Sequence, residues 1–149
     1  MRRTLIIFCV LTLACVVWAW PALANPGRGV YTLCYVWANF ASPDIGVPYT
    51  PSAIYSYNMV GGADANLVTR TATGTYTVTC RGVGGGALFG GSGTWGAGGH
   101  VQVTAYGTNP NHCKVNFWST GGADFQASVS CYAPGGALVD TLFDLLFVW

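Results

Sequence analysis

Cys113-Lys114-Val115-Asn116-Phe117-Trp118-Ser119, then Thr120-Gly121-Gly122-Ala123-Asp124, then Phe125-Gln126-Ala127-Ser128-Val129-Ser130-Cys131: this stretch decides the fold. Cys113, Val115 and Phe117 alternate with Lys114, Asn116 and Trp118. Phe125, Ala127, Val129 and Cys131 alternate with Gln126, Ser128, Ser130 and Tyr132. Period two with one polar phase describes half-buried antiparallel strands. A turn centred on Gly122 sets Cys113 opposite Cys131, Val115 opposite Val129 and Phe117 opposite Ala127, all pointing inward. A slip of one residue would send one apolar set to solvent. The register that buries the apolar pairs therefore also brings two sulfurs together.

Working outward, the same texture covers the chain. Strands are predicted over residues 30–39, 55–60, 66–71, 75–83, 101–107, 113–119, 125–132 and 141–149. These runs are rich in Val, Thr, Tyr and Phe and are broken by Gly, Pro, Asn and Ser, as strands are. No stretch keeps a helical period. Seven or eight short strands at this spacing predict an all-β, antiparallel β-sandwich stapled by disulfides.

Residues 1–24 read as a cleaved secretory signal. Met1-Arg2-Arg3 is the positive start, Thr4 to Trp20 the apolar core, and Pro21-Ala22-Leu23-Ala24 a small-x-small cut site before Asn25. Residues 25–149 then form one domain. Thr12-Leu13-Ala14-Cys15 offers lipid anchoring at Cys15 as an alternative, although apolar residues run well past Cys15. Export implies an oxidising compartment. Cys9 and Cys15 leave with the signal, so Cys34, Cys80, Cys113 and Cys131 remain, with three possible connectivities. The hairpin favours Cys113 with Cys131 and, by default, Cys34 with Cys80, whose phase matches inward Tyr76 and Val78. Buried free thiols are the alternative. The first bridge is worth about 3 kcal/mol and the second somewhat more, its loop being longer.

Charge excludes several partners. Charged residues make up 7% of the chain. After residue 24, Arg28, Arg70, Arg81 and Lys114 stand against Asp44, Asp64, Asp124, Asp140 and Asp144, so four against five leaves −1. Nucleic acid needs a basic footprint, and anionic lipid attracts basic clusters. Neither is present. The exposed face must be built from Thr, Ser, Asn, Gln, Gly and Tyr.

Catalytic patterns are missing. His100 and His112 are each a possible base, but no Gly-x-Ser-x-Gly elbow accompanies them. A glycosidase needs paired carboxylates, whereas the aspartates sit at turns, with Asp144 inside the last strand. Zinc needs clustered Cys and His, and His112-Cys113 point to opposite faces. Calcium needs converging oxygens. No enzyme activity, cofactor or metal is predicted.

Binding fits better. One even-numbered phase collects Tyr106, Lys114, Trp118 and Tyr132, and aromatics on a flat polar sheet grip sugars or protein partners. The plainer reading is that these residues cover one another. Tyr49, Tyr55 and Tyr57, with Pro48 and Pro51, read as packing a crossing between strands. Residues 82–99 form a glycine-rich loop carrying Leu88, Phe89 and Trp95; it opens no helix and so is no phosphate cradle. Gly61-Gly62-Ala63-Asp64 recurs as Gly121-Gly122-Ala123-Asp124. Phe143, Leu145, Phe147 and Trp149 alternate to the end, like the insertion signal of outer-membrane barrels. The simpler reading is a buried last strand with Asp144 at an edge.

Tyr35-Val36-Trp37-Ala38-Asn39, Tyr49-Thr50-Pro51, Tyr55-Ser56-Tyr57-Asn58 and Gly74-Thr75-Tyr76-Thr77-Val78 are followed by Gly99-His100-Val101-Gln102-Val103-Thr104-Ala105-Tyr106-Gly107. Cys113-Lys114-Val115, Val129-Ser130-Cys131 and Val139-Asp140 close the series. This order resembles an uncharacterised family of single-domain secreted β-sandwich proteins of bacteria. The resemblance implies one domain with Cys113 and Cys131 as the shared pair, and carries no activity. Cys34, Cys80 and the glycine insertion depart from it. The expectation is a secreted, monomeric module that binds a glycan, a cell surface or an extracellular protein, or plays a structural part. An outer-membrane barrel and a hydrolase without a recognisable motif are the alternatives.

Overall fold

The computed structural model describes residues 32–84 and 99–148. The signal segment, Cys15, Leu88, Phe89, Trp95 and Trp149 lie outside the described residues. The described strands are β1 (Thr32–Ala38), β2 (Pro48–Tyr49), β3 (Tyr57–Asn58), β4 (Asn66–Ala72), β5 (Thr75–Cys80), β6 (His100–Tyr106), β7 (His112–Ser119), β8 (Phe125–Tyr132) and β9 (Leu142–Val148). A 3-10 turn at Ala63–Ala65 precedes β4. One sheet has the order β3-β1-β9-β6 and the other β2-β4-β5-β8-β7, with every pairing antiparallel. The fold is the expected all-β sandwich.

Local patterning and observed strands agree closely, with two exceptions. The run at 55–60 contributes only Tyr57–Asn58, and Pro48–Tyr49 forms an unexpected strand. Both are end strands, where a proline costs no ladder bond. The segment between them crosses from one sheet to the other, as the aromatic and proline run predicts.

The β7–β8 register holds at first and then breaks. Cys113 faces Cys131 and Val115 faces Val129, but Phe117 faces Ser128 and Trp118 faces Ala127. An extra residue, Asn116, bulges the edge strand and reverses the phase beyond it. Phe117 therefore points outward and is 63% exposed, correcting its assignment to the core. Asn116 turns outward as well, donating to Ser130 Oγ at 2.7 Å and Ser128 Oγ at 3.2 Å. The bulge is capped by side chains that the neighbouring strand already presents.

The inner faces meet through large rings. Phe143, Leu145 and Phe147 of β9, with Val36 of β1, oppose Val68, Tyr76, Val78, Phe125 and Val129 of the other sheet, and all are buried. Phe125 stacks on Phe147 at 4.2 Å, and Tyr76 leans on Phe143 at 5.0 Å. Burying each such side chain is worth about 1.5–3 kcal/mol, so these contacts hold the layers together. β9 lies between β1 and β6. Asp144 is therefore not at an edge but in the middle of the four-stranded sheet, on its outer face.

Both disulfides form as expected. Cys113–Cys131 ties β7 to β8 within one sheet, and Cys34–Cys80 joins β1 to β5 across the two sheets. The two Gly-Gly-Ala-Asp copies also acquire a role. Arg81 N donates to Ala65 O at 3.1 Å just after the first copy; Gly82 N donates to Asp124 Oδ1 at 2.8 Å in the second. The exit of β5 is thus held from both flanking strands. Gly84 N continues this with a 2.9 Å bond to Ala123 O, and a Cβ on Gly84 would overlap the Gly122 carbonyl.

Candidate functional site

The four residues expected to share a face do not. Tyr106 is on β6 of the four-stranded sheet; Lys114, Trp118 and Tyr132 are on β7 and β8 of the five-stranded one. Within the latter, the Asn116 bulge moves Trp118 into the phase of buried Ala127. Lys114 and Tyr132 come together: the ammonium lies 5.6 Å from the Tyr132 ring, and His112 stacks on the same ring at 5.6 Å. This cluster presents one cation over one ring amid Ser and Thr hydroxyls.

A larger aromatic group lies on the outer face of the four-stranded sheet. In β1 the inward Cys34, Val36 and Ala38 alternate with outward Tyr35 and Trp37. In β9 the inward Phe143, Leu145 and Phe147 alternate with outward Leu142, Asp144 and Leu146. Cross-strand pairing builds two rows. Tyr57, Tyr35, Leu146 and Gln102 form one; Trp37, Asp144 and Thr104 form the other. Trp37 leans over β9 to stack on Tyr106, with ring centroids 4.3 Å apart and planes 26° from parallel. Tyr106 fixes its own pose by donating to Ala38 O at 3.2 Å. Tyr55 extends the band at 5.8 Å from Trp37. Ser56 steadies this edge, its hydroxyl accepting the Trp37 backbone N–H at 3.0 Å. Tyr55 and Tyr57 are 62% and 49% exposed, so the band opens to solvent at that end.

Among the described residues Asp144 is the one carboxylate in this band. Burial among the rings raises its pKa above the ordinary carboxylate value. Burial also raises the Tyr35 and Tyr106 phenols, and the negative charge of Asp144 adds to both shifts. Among the described residues no side chain donates a hydrogen bond to Asp144 and none forms an ion pair with it. Such a surface can stack flat rings and accept hydrogen bonds. Among the described residues it holds one acid, Asp144.

Asp140 has another task. Arg70 grips it with two bonds, Nε to Oδ1 at 3.0 Å and Nη2 to Oδ2 at 2.6 Å. Gly74 N adds a bond to Oδ1 at 2.7 Å and Ser42 Oγ one to Oδ2 at 3.3 Å. Burial alone would raise the Asp140 pKa, but the Gly74 amide, the Arg70 guanidinium and Ser42 outweigh it and hold the carboxyl below its usual range. Asp140 thereby ties the β4–β5 turn to the approach of β9. Gly74 has φ 64°, and a Cβ there would meet Val139 N at 2.6 Å. Tyr76 completes the joint, donating to Ala41 O at 2.7 Å and accepting Thr141 N–H at 3.3 Å. Charges and polar groups here satisfy one another.

Among the described residues no group of His, Cys and Asp could hold a metal ion. No family model, curated protein or solved structure matches this chain. The resemblance carried by motif order therefore gains no family assignment, and function must be argued from the site.

Of the residues that form the band, the sequence marks Tyr106 as a candidate for binding and Tyr55 and Tyr57 as packing a crossing. A signal for others was present: Tyr35 and Trp37 share one phase of β1, and Asp144 shares the outer phase of β9. That β1, β9 and β6 lie side by side is a long-range pairing, and no local pattern encodes it.

Proposed function

We propose that this protein is exported, loses residues 1–24 and works outside the cell as a glycan-binding β-sandwich module. The observation that carries this reading is the solvent-facing aromatic band of Tyr35, Trp37, Tyr55, Tyr57 and Tyr106 on one flat sheet face. Aromatic faces cover the apolar C–H faces of pyranose rings, while Asp144, Thr104 and Gln102 offer hydrogen bonds to hydroxyls. Two disulfides fit an oxidising compartment, and the low charge of the chain fits a neutral polymer-facing surface. The outer-membrane alternative fits less well, since the strands are organised as two open sheets and not one closed ladder.

The test is a binding screen of the purified protein against soluble glycans and insoluble cell-wall fractions, with Trp37→Ala beside it. Retention on at least one glycan, reduced about tenfold or more by Trp37→Ala, is expected. Retention indifferent to Trp37, or none at all, sinks the reading. Turnover of a glycan that is lost in His100 or aspartate variants would return the protein to the hydrolases. Intact mass of the exported protein, reduced and non-reduced, checks the cut before Asn25, any lipid on Cys15 and both bridges.

A second reading has its own support. Phe40, Ile45, Val47, Ile54, Met59 and Val60 are all about half exposed or more and fall in the connections that lead from β1 through β2 and β3 to β4. Exposed apolar residues so concentrated mark protein contact surfaces. Sedimentation of the purified protein discriminates: a single monomer mass with no associating partner removes this reading.

A further inference from the structure

Asp144 is placed where a carboxylate is expensive. It sits on an inner strand, between Trp37 and Thr104 in its own row and beside the Tyr35 row. Lone carboxylates in low-dielectric surroundings lose hydration and are normally compensated by a cation. Here the described cations are elsewhere. Arg70 is committed to Asp140, Lys114 lies over Tyr132 on the other sheet, and Arg81 follows β5. The titratable groups of the described residues that share the face are the Tyr35 phenol from β1, Tyr57 from β3 and Tyr55 just before it, the Tyr106 phenol from β6 and His100 at the far end of β6.

Two independent features then select the same kind of ligand. A carboxylate without a counter-ion attracts a positive group. The ring faces around it carry negative quadrupole potential and attract a positive group as well. We infer that the aromatic band, on the glycan-binding reading above, takes a polymer of amino sugars with free 2-ammonium groups, one ammonium pairing with Asp144 while its pyranose face stacks on the Trp37–Tyr106 pair. Uronate polymers are disfavoured by the same geometry, because they would bring a second carboxylate against Asp144.

The experiment titrates the purified, disulfide-intact protein with oligomers of glucosamine, oligomers of N-acetylglucosamine, cello-oligomers and oligogalacturonate of equal length. It is run by calorimetry at mildly acidic pH and low salt. Poly-lysine of matched charge is a further arm. Glucosamine oligomers are expected to bind about tenfold tighter than the acetylated and neutral oligomers, the margin by which a charged hydrogen bond exceeds a neutral one. Oligogalacturonate binds weakest. Asp144→Asn, of nearly the same shape, brings glucosamine down to the level of its acetylated form. Added salt weakens only the glucosamine complex, a measurement on the unaltered protein that does not depend on the variant folding.

Equal affinity for amine and acetylated oligomers, or indifference to Asp144→Asn, overturns the amino-sugar assignment; if Trp37→Ala still abolishes that binding, the glycan reading stands. Poly-lysine bound as tightly as the glucosamine oligomer overturns it in favour of a basic protein partner. No oligomer bound, or none sensitive to Trp37, ends both.

Discussion

Asn58 donates its side-chain amide to Asn66 Oδ1 at 3.1 Å, bridging the two sheets beside the Cys34–Cys80 disulfide. The placement is systematic. Asn58 is the cross-strand partner of Cys34, and Asn66 is the cross-strand partner of Cys80. One rung of the sandwich therefore holds a covalent and a hydrogen-bonded link in parallel. Both amides are fully used. Asn58 also donates to Arg81 O and accepts from Val60 N and Gly61 N; Asn66 donates to Tyr35 O and Tyr57 O. A buried polar network satisfied at every atom adds rigidity, while one broken partner strands several others.

Asn66→Ala should thus cost about 3 kcal/mol, because it takes the acceptor from one Asn58 N–H and a donor from each of two strand carbonyls in the interior. Urea melts read the loss. Combined with Asn58→Ala, the double variant should lose clearly less than the two single losses together. Additive losses would mean the two amides act independently.

Removing Cys34–Cys80 by paired Ser substitutions should destabilise the protein by about 4 kcal/mol, against about 3 kcal/mol for Cys113–Cys131. The closed loops span separations of 46 and 18 residues, and chain entropy grows with loop length. Denaturant midpoints of the two variants give the order directly. A reversed order would show that the edge hairpin, and not the link between sheets, dominates.

Asp140 and Asp144 should answer acid in opposite ways. The folded state lowers the Asp140 pKa, so its contribution is present above the unfolded carboxylate value and lost as pH falls through the folded one. Asp140→Asn should cost about 2 kcal/mol at neutral pH, with the deficit closing on acidification. The folded state raises the Asp144 pKa, so its contribution is full at low pH and lost as pH rises through the folded value. Asp144→Asn should then match or exceed the parent stability at neutral pH and converge with it in acid. Stability curves of the three proteins against pH check both signs.

Thr120 is 1% exposed, and among the described residues its hydroxyl has no hydrogen-bond partner. Thr120→Val keeps the shape and removes that polar atom, so a gain of about 1 kcal/mol is expected. A loss on thermal or urea unfolding would reveal that a bound water satisfies the hydroxyl.

Tyr106 separates stacking from hydrogen bonding in the aromatic band. Tyr106→Phe keeps the ring over Trp37 and gives up only the bond to Ala38 O, so glycan retention should survive at a stability cost below about 1 kcal/mol. Tyr106→Ala removes the ring and should weaken retention severalfold. Equal effects of the two changes would place the function in the hydroxyl.

The predicted site shows where local reading stops. Lys114 and Tyr132 lie near one another because both belong to one hairpin register. Trp118 was lost to a single extra residue, because period two carries no warning of a bulge at Asn116. Tyr106 was assigned to the wrong sheet because the loop from β6 to β7 crosses between layers and leaves the alternation on both sides unchanged.

Alternation of apolar and polar residues, set by the geometry of an extended chain, was enough to establish strands, inward faces and the Cys113–Cys131 pairing within one hairpin. Lateral order was not. β1, β9 and β6 become neighbours only when the apolar faces of the whole chain are buried together, a sum over contacts far apart in sequence. That burial, and no local motif, draws Trp37, Tyr106 and Asp144 onto one surface.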